Sequence, residues 1–411
     1  MNSPEQRCSR IFRVLLMAMN VLLSILLLTA ASLAQTASPP SFSLLYQFKS
    51  GRDGSSPYSS LILDAQGNLY GTTMIDGAYS YGTVFKISPQ GKETVLHSFR
   101  GTGGDGANPV APLIMDAAGN LYGTTEYGGL YSCGPDGCGT VFKIDPAGKE
   151  TVLYRFTGIP NVDGMNPEQG LVLDSRGNLY GTTFQGGTYD TNGNSYGIVF
   201  KITPAGKETV LHSFNPYNGL YDGMWPLGGS LIRDSAGNLY GTTYFGGLGS
   251  LGTVFKLDPH RQMSILYSFF GGGDGMYPYG SLVRDPAGNL YGVTYFGGAF
   301  EGGTVFKLDA SNNETIVHSF GGNGDGAPPG GGLARDRAGN LYGTTTEGGS
   351  SYFGTVFKLD TSGKETVLHT FLGKQGNGPD WGVIRDSKGN LYGTTQYGGA
   401  YGGGVVFKVT P

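Results

Sequence analysis

Short runs of Val, Ile, Thr, Tyr and Phe alternate along this chain with clusters of Gly, Pro, Asp and Asn, and the pattern recurs about every 51 residues. In the fourth copy the runs 230–234, 238–243 and 252–257 show the first three members of the pattern, and 209–214 shows the fourth most clearly. Apolar β-branched and aromatic runs bounded by turn residues are typical of strands. The copies carry no long apolar pattern at helical spacing. The sequence therefore predicts four short strands in each repeat.

Glycine-containing turns predict how these strands are connected. The first and second strands are joined by Asp-x-x-Gly-Asn, as in 234–238, and the third and fourth by segments such as Asp-Pro-Ala-Gly-Lys at 145–149. Asp caps such a turn through its side chain, and Gly takes the left-handed position that follows, which gives a three-residue hairpin with a glycine bulge. The other connections are longer and rich in glycine. We therefore expect antiparallel sheets with tight turns at one end and open loops at the other.

The phrase Gly-Asn-Leu-Tyr-Gly occurs seven times, at 67–71, 119–123, 177–181, 237–241, 288–292, 339–343 and 389–393. Repeats of this length are typical of stacked or radial arrays. A β-solenoid has a shorter period and lacks the hairpin turns, and an open row of sheets would expose strand edges. The sequence predicts an all-β fold, a seven-bladed β-propeller with four antiparallel strands per blade. An unmatched fourth strand at 43–48 is expected to close the ring beside 404–409.

The repeat resembles the bacterial Gloeo/Verruco, or GloVer, tandem repeat. The shared phrases are Gly-Asn-Leu-Tyr-Gly-Thr-Thr, Gly-Thr-Val-Phe-Lys and Leu-His-Ser-Phe, and they cover nearly all of 43–409. The resemblance implies a secreted or surface-attached protein and no established general activity. The first two strands also resemble those of NHL-type propellers, which implies that the first strand lies at the central channel and the fourth at the rim. It implies no function.

Residues 1–34 are predicted to be a signal peptide. Arg7, Arg10 and Arg13 precede an apolar run at 14–28, and small residues end at Ala34, which is the three-part secretory pattern. An uncleaved anchor is the alternative, because the segment is long enough to span a bilayer. We expect a secreted, extracellular or periplasmic protein with no membrane span in the mature chain, a polar lead-in at 35–42 and a single propeller domain at 43–411.

The charge of the chain excludes one class of partner. The net charge of −4 becomes −6 without residues 1–34, which hold three arginines and Glu5. A mildly acidic protein is not expected to bind nucleic acid.

Cys133 and Cys138 flank a short loop, and an oxidising compartment favours a disulfide between them. Metal binding is the competing interpretation, but no histidine lies nearby in the sequence.

The polar residues that recur from repeat to repeat are predicted to have structural roles. Four histidines share one position of the fourth strand and cannot converge around a ring, so packing or hydrogen bonding is expected for His97, His212, His318 and His369. The aspartates that end the first strand are expected to cap turns, and those of the Asp-Gly-x-x-Pro loops to shape the loops. Calcium is the alternative ligand of these loops, but their spacing matches no known calcium loop. The sharpest calcium candidate is the segment 190–194, where Lys201 stands at the position that a calcium loop requires to be Glu.

Length insertions give the candidate binding residues. The repeat lengthens to 58 and 60 residues between the second and fourth copies, and the extra open-face loops carry Tyr131, Tyr189, Tyr196, Tyr217, Tyr221 and Trp225. Flat aromatic side chains beside Asn and Asp suit sugar rings, although such residues also pin glycine-rich loops. We expect a binding scaffold for glycans or cell-surface proteins, without catalytic residues. The alternative is a propeller lyase or lactonase, but Glu126, Glu301 and Glu347 lie on separate blades.

Overall fold

The computed structural model of the protein describes residues 39–160, 162–188, 194–217, 221–227, 229–322 and 324–411. Residues 41–411 form one compact unit, and this unit is the predicted seven-bladed propeller, with one four-stranded antiparallel sheet in each blade. The described part of the chain has no α-helix, and its short 3-10 turns are not long and apolar enough to cross a membrane. The predicted signal peptide, 1–34, lies outside the described residues.

The strands recur in the same order from blade one to blade seven. The first strands are Ile62–Leu63, Ile114–Met115, Val172–Leu173, Ile232–Arg233, Val283–Arg284, Ala334–Arg335 and Ile384–Arg385. The second strands are Leu69–Thr73, Leu121–Thr125, Leu179–Thr183, Leu239–Thr243, Leu290–Phe296, Leu341–Thr345 and Leu391–Thr395. The third strands are Thr83–Ile87, Thr140–Ile144, Ile198–Ile202, Thr253–Leu257, Thr304–Leu308, Thr355–Leu359 and Val405–Thr410. The outer strands are Glu93–Ser98, Glu150–Arg155, Glu208–Ser213, Met263–Ser268, Glu314–Ser319, Glu365–Thr370 and, for blade seven, Ser41–Gln47.

Short elements lie in the open-face loops. Two-residue strands pair Gly106–Ala107 with Tyr127–Gly128 and Gly164–Met165 with Gln185–Gly186, and Met276–Pro278 pairs with the second strand of blade five. Single 3-10 turns are formed by Tyr131–Cys133, Gly272–Asp274 and Gly373–Gln375.

The N-terminal strand closes the ring, as predicted. Ser41 pairs with Thr410 and Gln47 with Val405, so the first strand of the chain completes the last sheet. The ring of Phe42 stacks on that of His369 in blade six, with centroids 3.8 Å apart. Closure therefore combines backbone pairing within blade seven with aromatic packing against its neighbour.

The core lies between the blades, where phenylalanines meet edge to face. The residue after each outer strand, such as Phe269, is fully buried against a phenylalanine of the next blade's third strand, such as Phe306, with centroids 5.2 Å apart. The same contact recurs at all seven junctions, with centroid distances of 5.0–5.3 Å. Gly292 of the second strand makes room for this packing, because a Cβ there would lie 2.5 Å from the Phe306 ring. Buried aromatic pairs thus hold the blades to one another.

The turn aspartates cap the turns, as predicted. Asp285 accepts hydrogen bonds from the backbone N–H of Asn289 at 2.9 Å, from its side-chain amide at 2.8 Å and from the Tyr291 hydroxyl at 3.3 Å. Gly288 occupies the left-handed position with φ of 93°. The arrangement recurs at Asp64, Asp116, Asp174, Asp234, Asp336 and Asp386. One face of the propeller is therefore made of tight turns, which leaves the longer loops to form the opposite, open face.

Candidate functional site

Residues that follow the loop prolines come together from four blades of the ring. Residues of such widely separated blades can meet only near the axis of the ring, so we call this group the channel mouth. Tyr58 of blade one and Tyr279 of blade five occupy this repeat position, and their side chains are joined by a hydrogen bond. Glu168 of blade three and Asp380 of blade seven occupy it too, and both act electrostatically on these tyrosines. Residues from four blades therefore meet where the channel opens.

The carboxyl groups at the mouth are held in an unusual protonation range. Burial, together with the charge of Glu126 from the neighbouring blade, raises the pKa of Glu168 to about 8. Burial and the charge of Glu347 raise the pKa of Asp380 to about 7. The pKa of Glu126 is also raised by burial, against which its hydrogen bond to Tyr127 acts. Desolvation disfavours the charged form of a carboxyl group, so the mouth holds neutral carboxylic acids at mildly acidic pH.

A continuous series of mostly half-buried aromatic rings runs beneath the open-face loops and reaches the mouth, where Trp381 is buried. We call it the aromatic row; in order of contact it comprises Phe184, Trp225, Phe245, Tyr244, Tyr277, Phe296, Tyr295, Tyr279, Trp381 and Tyr58. Consecutive ring centroids lie 4.7–6.3 Å apart. Three of its members directly follow the Gly-Thr-Thr or Gly-Val-Thr of a second strand, so the sheet itself places them at the edge of the channel.

Three of the six predicted aromatic residues come together at the outer end of this row. Tyr196, Tyr217 and Trp225 line a cavity of about 430 Å³ between blades three and four, together with methionine and polar side chains. Tyr217 is 74% exposed and meets the edge of Tyr196, which is 5% exposed and packs between the blades. Trp225 continues inward, since its ring contacts Phe184 and Phe245.

The other predicted aromatic residues lie apart from this cavity. Tyr131 is half exposed and donates a hydrogen bond to the Gly101 carbonyl at 3.2 Å, which anchors its own loop. Tyr221 is exposed and does not line the cavity. Tyr189 and the calcium candidate at 190–193 lie outside the described residues.

Cys133 and Cys138 form a disulfide with Cα atoms 5.3 Å apart, and Cys138 is buried between blades two and three.

The repeated histidines and loop aspartates have the structural contacts that the sequence predicted. His212 Nε2 lies 2.7 Å from Asp222, and His318 Nε2 lies 3.3 Å from Asp325. The loop aspartates also accept backbone N–H groups, as Asp105 does from Arg100 at 2.9 Å, and so shape the loops. His369 instead stacks on Phe42, and burial lowers its pKa to about 4.

The sequence did not single out the channel mouth. Glu126 and Glu347 do lie on separate blades, as expected, but each interacts with a carboxyl group of the adjacent blade, Glu168 or Asp380. Glu301 is exposed on a blade-five loop. The signal that could have found the mouth is the position after the loop proline, where charged or aromatic residues stand in four of seven copies.

One solved structure of low sequence identity shares the fold, and others are similar at lower TM-scores. The extracellular domain of BT4673 from B. thetaiotaomicron is 13% identical with a TM-score of 0.52, over 89% of this chain and 39% of that chain. The gluconolactonase XC5397 from Xanthomonas campestris is 15% identical with a TM-score of 0.43, over 76% of this chain and 89% of its own. A luciferin-regenerating enzyme is 17% identical with a TM-score of 0.43, over 73% and 90%. Similarity at this level shows the fold alone.

The sequence itself identifies a family. No curated protein matches the chain. The profile of the Gloeobacter/Verrucomicrobia repeat matches residues 34–223, 127–338 and 315–411, which together span all seven blades. The chain therefore belongs to the family of the Gloeobacter/Verrucomicrobia repeat.

Proposed function

We propose that this protein binds carbohydrate on its open face, along the aromatic row from the cavity at Tyr217 and Trp225 to the channel mouth. The observation that carries the proposal is the unbroken contact of ten rings between these two places. Aromatic faces pack against the C–H groups of sugar rings while polar edges bond their hydroxyls. The row extends over several blades, so an oligosaccharide fits it better than a single sugar.

The carboxyl groups define the charge of the preferred ligand. Below about pH 7 the acids at Glu168 and Asp380 are mostly neutral and can both donate and accept hydrogen bonds. At higher pH they become anionic and repel acidic sugars. Neutral glycans are therefore the ligand class, in keeping with the secreted location proposed from residues 1–34.

The test is a glycan array followed by calorimetric titration of the best ligand. Trp225→Ala and Tyr217→Ala should each weaken binding several-fold, because the loss of an aromatic platform costs ~1 kcal/mol or more. Tyr217 is the safer substitution for folding, because its ring is largely exposed. Tyr352→Ala is the matched control, since Tyr352 is 80% exposed on a blade-six loop and is not a member of the row. Circular dichroism verifies the fold of each variant.

Two results would contradict the proposal. Equal affinity for wild type and for the Trp225 and Tyr217 variants would place the glycan elsewhere on the surface. The absence of any glycan binding by the wild type would leave a protein-interaction scaffold, engaging cell-surface proteins, as the better account.

A second candidate, a lyase or lactonase, is favoured by one specific observation. Two carboxyl groups with pKa values of about 8 and about 7, Glu168 and Asp380, belong to the same channel mouth. A general acid or base works best when its pKa lies near the working pH. If the mouth is catalytic, wild type should turn over a lactone or a polysaccharide, and Glu168→Gln or Asp380→Asn should abolish turnover while glycan binding persists. No turnover by the wild type on either substrate class would exclude this candidate.

A further inference from the structure

Two blade junctions at the rim bring a histidine and two carboxylates together, far from the aromatic row. His97, Asp105 and Glu150 form one group, between blades one and two. His318, Asp325 and Glu365 form the other, between blades five and six. Within each group the candidate ligand atoms lie within 4.8 Å of one another. Each group combines an outer strand, the loop after it and the outer strand of the next blade.

The distances fit a small tetrahedral ion. His97 Nε2 lies 3.5 Å from Asp105 Oδ2, and His318 Nε2 lies 3.3 Å from Asp325 Oδ2. Bonds of ~2.0–2.2 Å in a tetrahedral zinc site put neighbouring ligand atoms about 3.3–3.6 Å apart. The glutamate completes the set by a rotation of its side chain, because its carboxyl group already lies within the same 4.8 Å.

Buried polar atoms in these groups lack protein partners. In the described structure, His97 Nε2, Glu150 Oε1 and Glu365 Oε1 are buried without a hydrogen-bond partner. The glutamate oxygen shares this feature with the tyrosine junctions, so His97 Nε2 is the atom that distinguishes a histidine junction. Such atoms carry a desolvation cost that needs compensation. With both carboxyl groups ionised and the imidazole neutral, each group would carry two negative charges, which a divalent cation would neutralise. A cavity of about 560 Å³ opens beside His97, Asp105 and Glu150 and gives access from solvent.

The remaining junctions provide an internal comparison. In three of them a tyrosine replaces the histidine and donates to the loop aspartate: Tyr46 to Asp53 at 2.9 Å, Tyr154 to Asp163 at 2.9 Å and Tyr267 to Asp274 at 3.1 Å. Blades therefore join without a histidine, and a neutral tyrosine is a poor metal ligand. At His212 the third ligand is missing, because Met263 begins the next outer strand in place of glutamate.

We propose that each of these two rim groups binds one zinc ion through the histidine, the loop aspartate and the strand glutamate, with water in the fourth position. One imidazole with two carboxylates suits zinc, whereas calcium prefers six to eight oxygen ligands.

The test measures zinc retained by untagged protein that has been stripped with chelator, dialysed against dilute zinc and analysed by mass spectrometry of the metal. Wild type should retain two ions per chain, His97→Tyr and His318→Tyr one each, and the double variant none. Each substitution installs the residue that three natural junctions already carry, so the fold should persist, as circular dichroism will verify. His212→Tyr is the matched control and should still retain two ions.

Three outcomes would overturn the inference: no zinc on the wild type, equal zinc on wild type and the double variant, or a loss in His212→Tyr as large as in His318→Tyr. Glu365→Gln provides an independent variant, because it keeps the size of the side chain and removes one charged ligand. It should weaken zinc binding at the second site at least tenfold and leave the first site unchanged. An unchanged affinity at the second site would reject Glu365 as a ligand.

Discussion

Glutamates at the blade junctions should make the propeller less stable as pH rises through neutrality. Glu93, Glu208 and Glu314 each begin an outer strand, and each has a carboxyl oxygen buried without a hydrogen-bond partner among the described residues. The pKa of each glutamate is raised from 4.5 to about 7. Burial is the larger cause, and the charge of the adjacent loop aspartate is the smaller one. These three junctions carry tyrosine in place of histidine, so the effect is separate from any metal.

The direction in which stability changes with pH follows from proton linkage. The folded state holds these protons more tightly than the unfolded state, so their stabilising contribution is complete below about pH 4.5 and is lost as pH rises through about 7. The difference between 4.5 and about 7 corresponds to ~3.4 kcal/mol for each fully shielded group at ~1.36 kcal/mol per pKa unit. Each side chain is partly open to solvent, so we reduce this to about 1 kcal/mol.

The triple variant Glu93→Gln, Glu208→Gln and Glu314→Gln lacks these three ionisable groups. At pH 8 its free energy of unfolding should exceed that of the wild type by about 3 kcal/mol. A fold of this size has an unfolding entropy of ~0.8 kcal/mol/K, so Tm should rise by about 4 °C at pH 8. At pH 4 the glutamates are protonated, and Tm should be nearly unchanged. Calorimetric scans of wild type and variant at both pH values measure this difference.

The control is Glu301→Gln, because Glu301 is exposed on a loop and its replacement should leave Tm unchanged at either pH. An equal shift of Tm at pH 4 and pH 8 in the triple variant, or a lower Tm at pH 8, would contradict a destabilising role of the ionised glutamates. The first result would mean that amide packing matters rather than charge, and the second that the ionised carboxylates stabilise the junctions.

Three further outcomes are expected. Deletion of residues 39–47 should abolish a single cooperative urea transition, because blade seven would lose its outer strand; a transition with an unchanged midpoint would contradict ring closure. Gly292→Ala should cost ~1–3 kcal/mol in urea unfolding, because its Cβ would lie 2.5 Å from a phenylalanine ring, whereas Gly273→Ala meets no atom within 4 Å and should cost far less. Alkylation and mass spectrometry of exported protein should find no free thiol at Cys133 or Cys138, and two alkylated cysteines would be inconsistent with the disulfide.

Local sequence rules predicted the parts of the fold that local chemistry determines. The Asp-x-x-Gly-Asn phrase encodes its own turn, and the same Asp, Gly and Asn atoms make the hydrogen bonds in every blade. Ring closure was also predictable, because a fourth strand at the N-terminus and a missing one at the C-terminus leave one arrangement without an exposed edge.

The channel mouth could not be predicted in the same way. Tyr58 and Tyr279 belong to blades one and five, and they meet only because the ring brings the same repeat position of distant blades to one axis. The residue type at that position changes from copy to copy, so no phrase marks it. The rim histidines illustrate the converse. They do not meet one another, as predicted, but His97 and His318 each lie beside a loop aspartate and a glutamate of the neighbouring blade, which a comparison of like positions does not reveal.

The closing strand also determines how the ring responds to mechanical force. Ser41 and Thr410 are paired at the same end of the blade-seven sheet, and the pairing continues inward to Gln47 and Val405. Tension applied between these two chain ends therefore loads the hydrogen bonds one after another, as in unzipping, rather than all together, as in shear. The ring should yield at this seam under low force while the other six sheets stay intact, so the seam is the point at which the propeller opens when its ends are pulled apart.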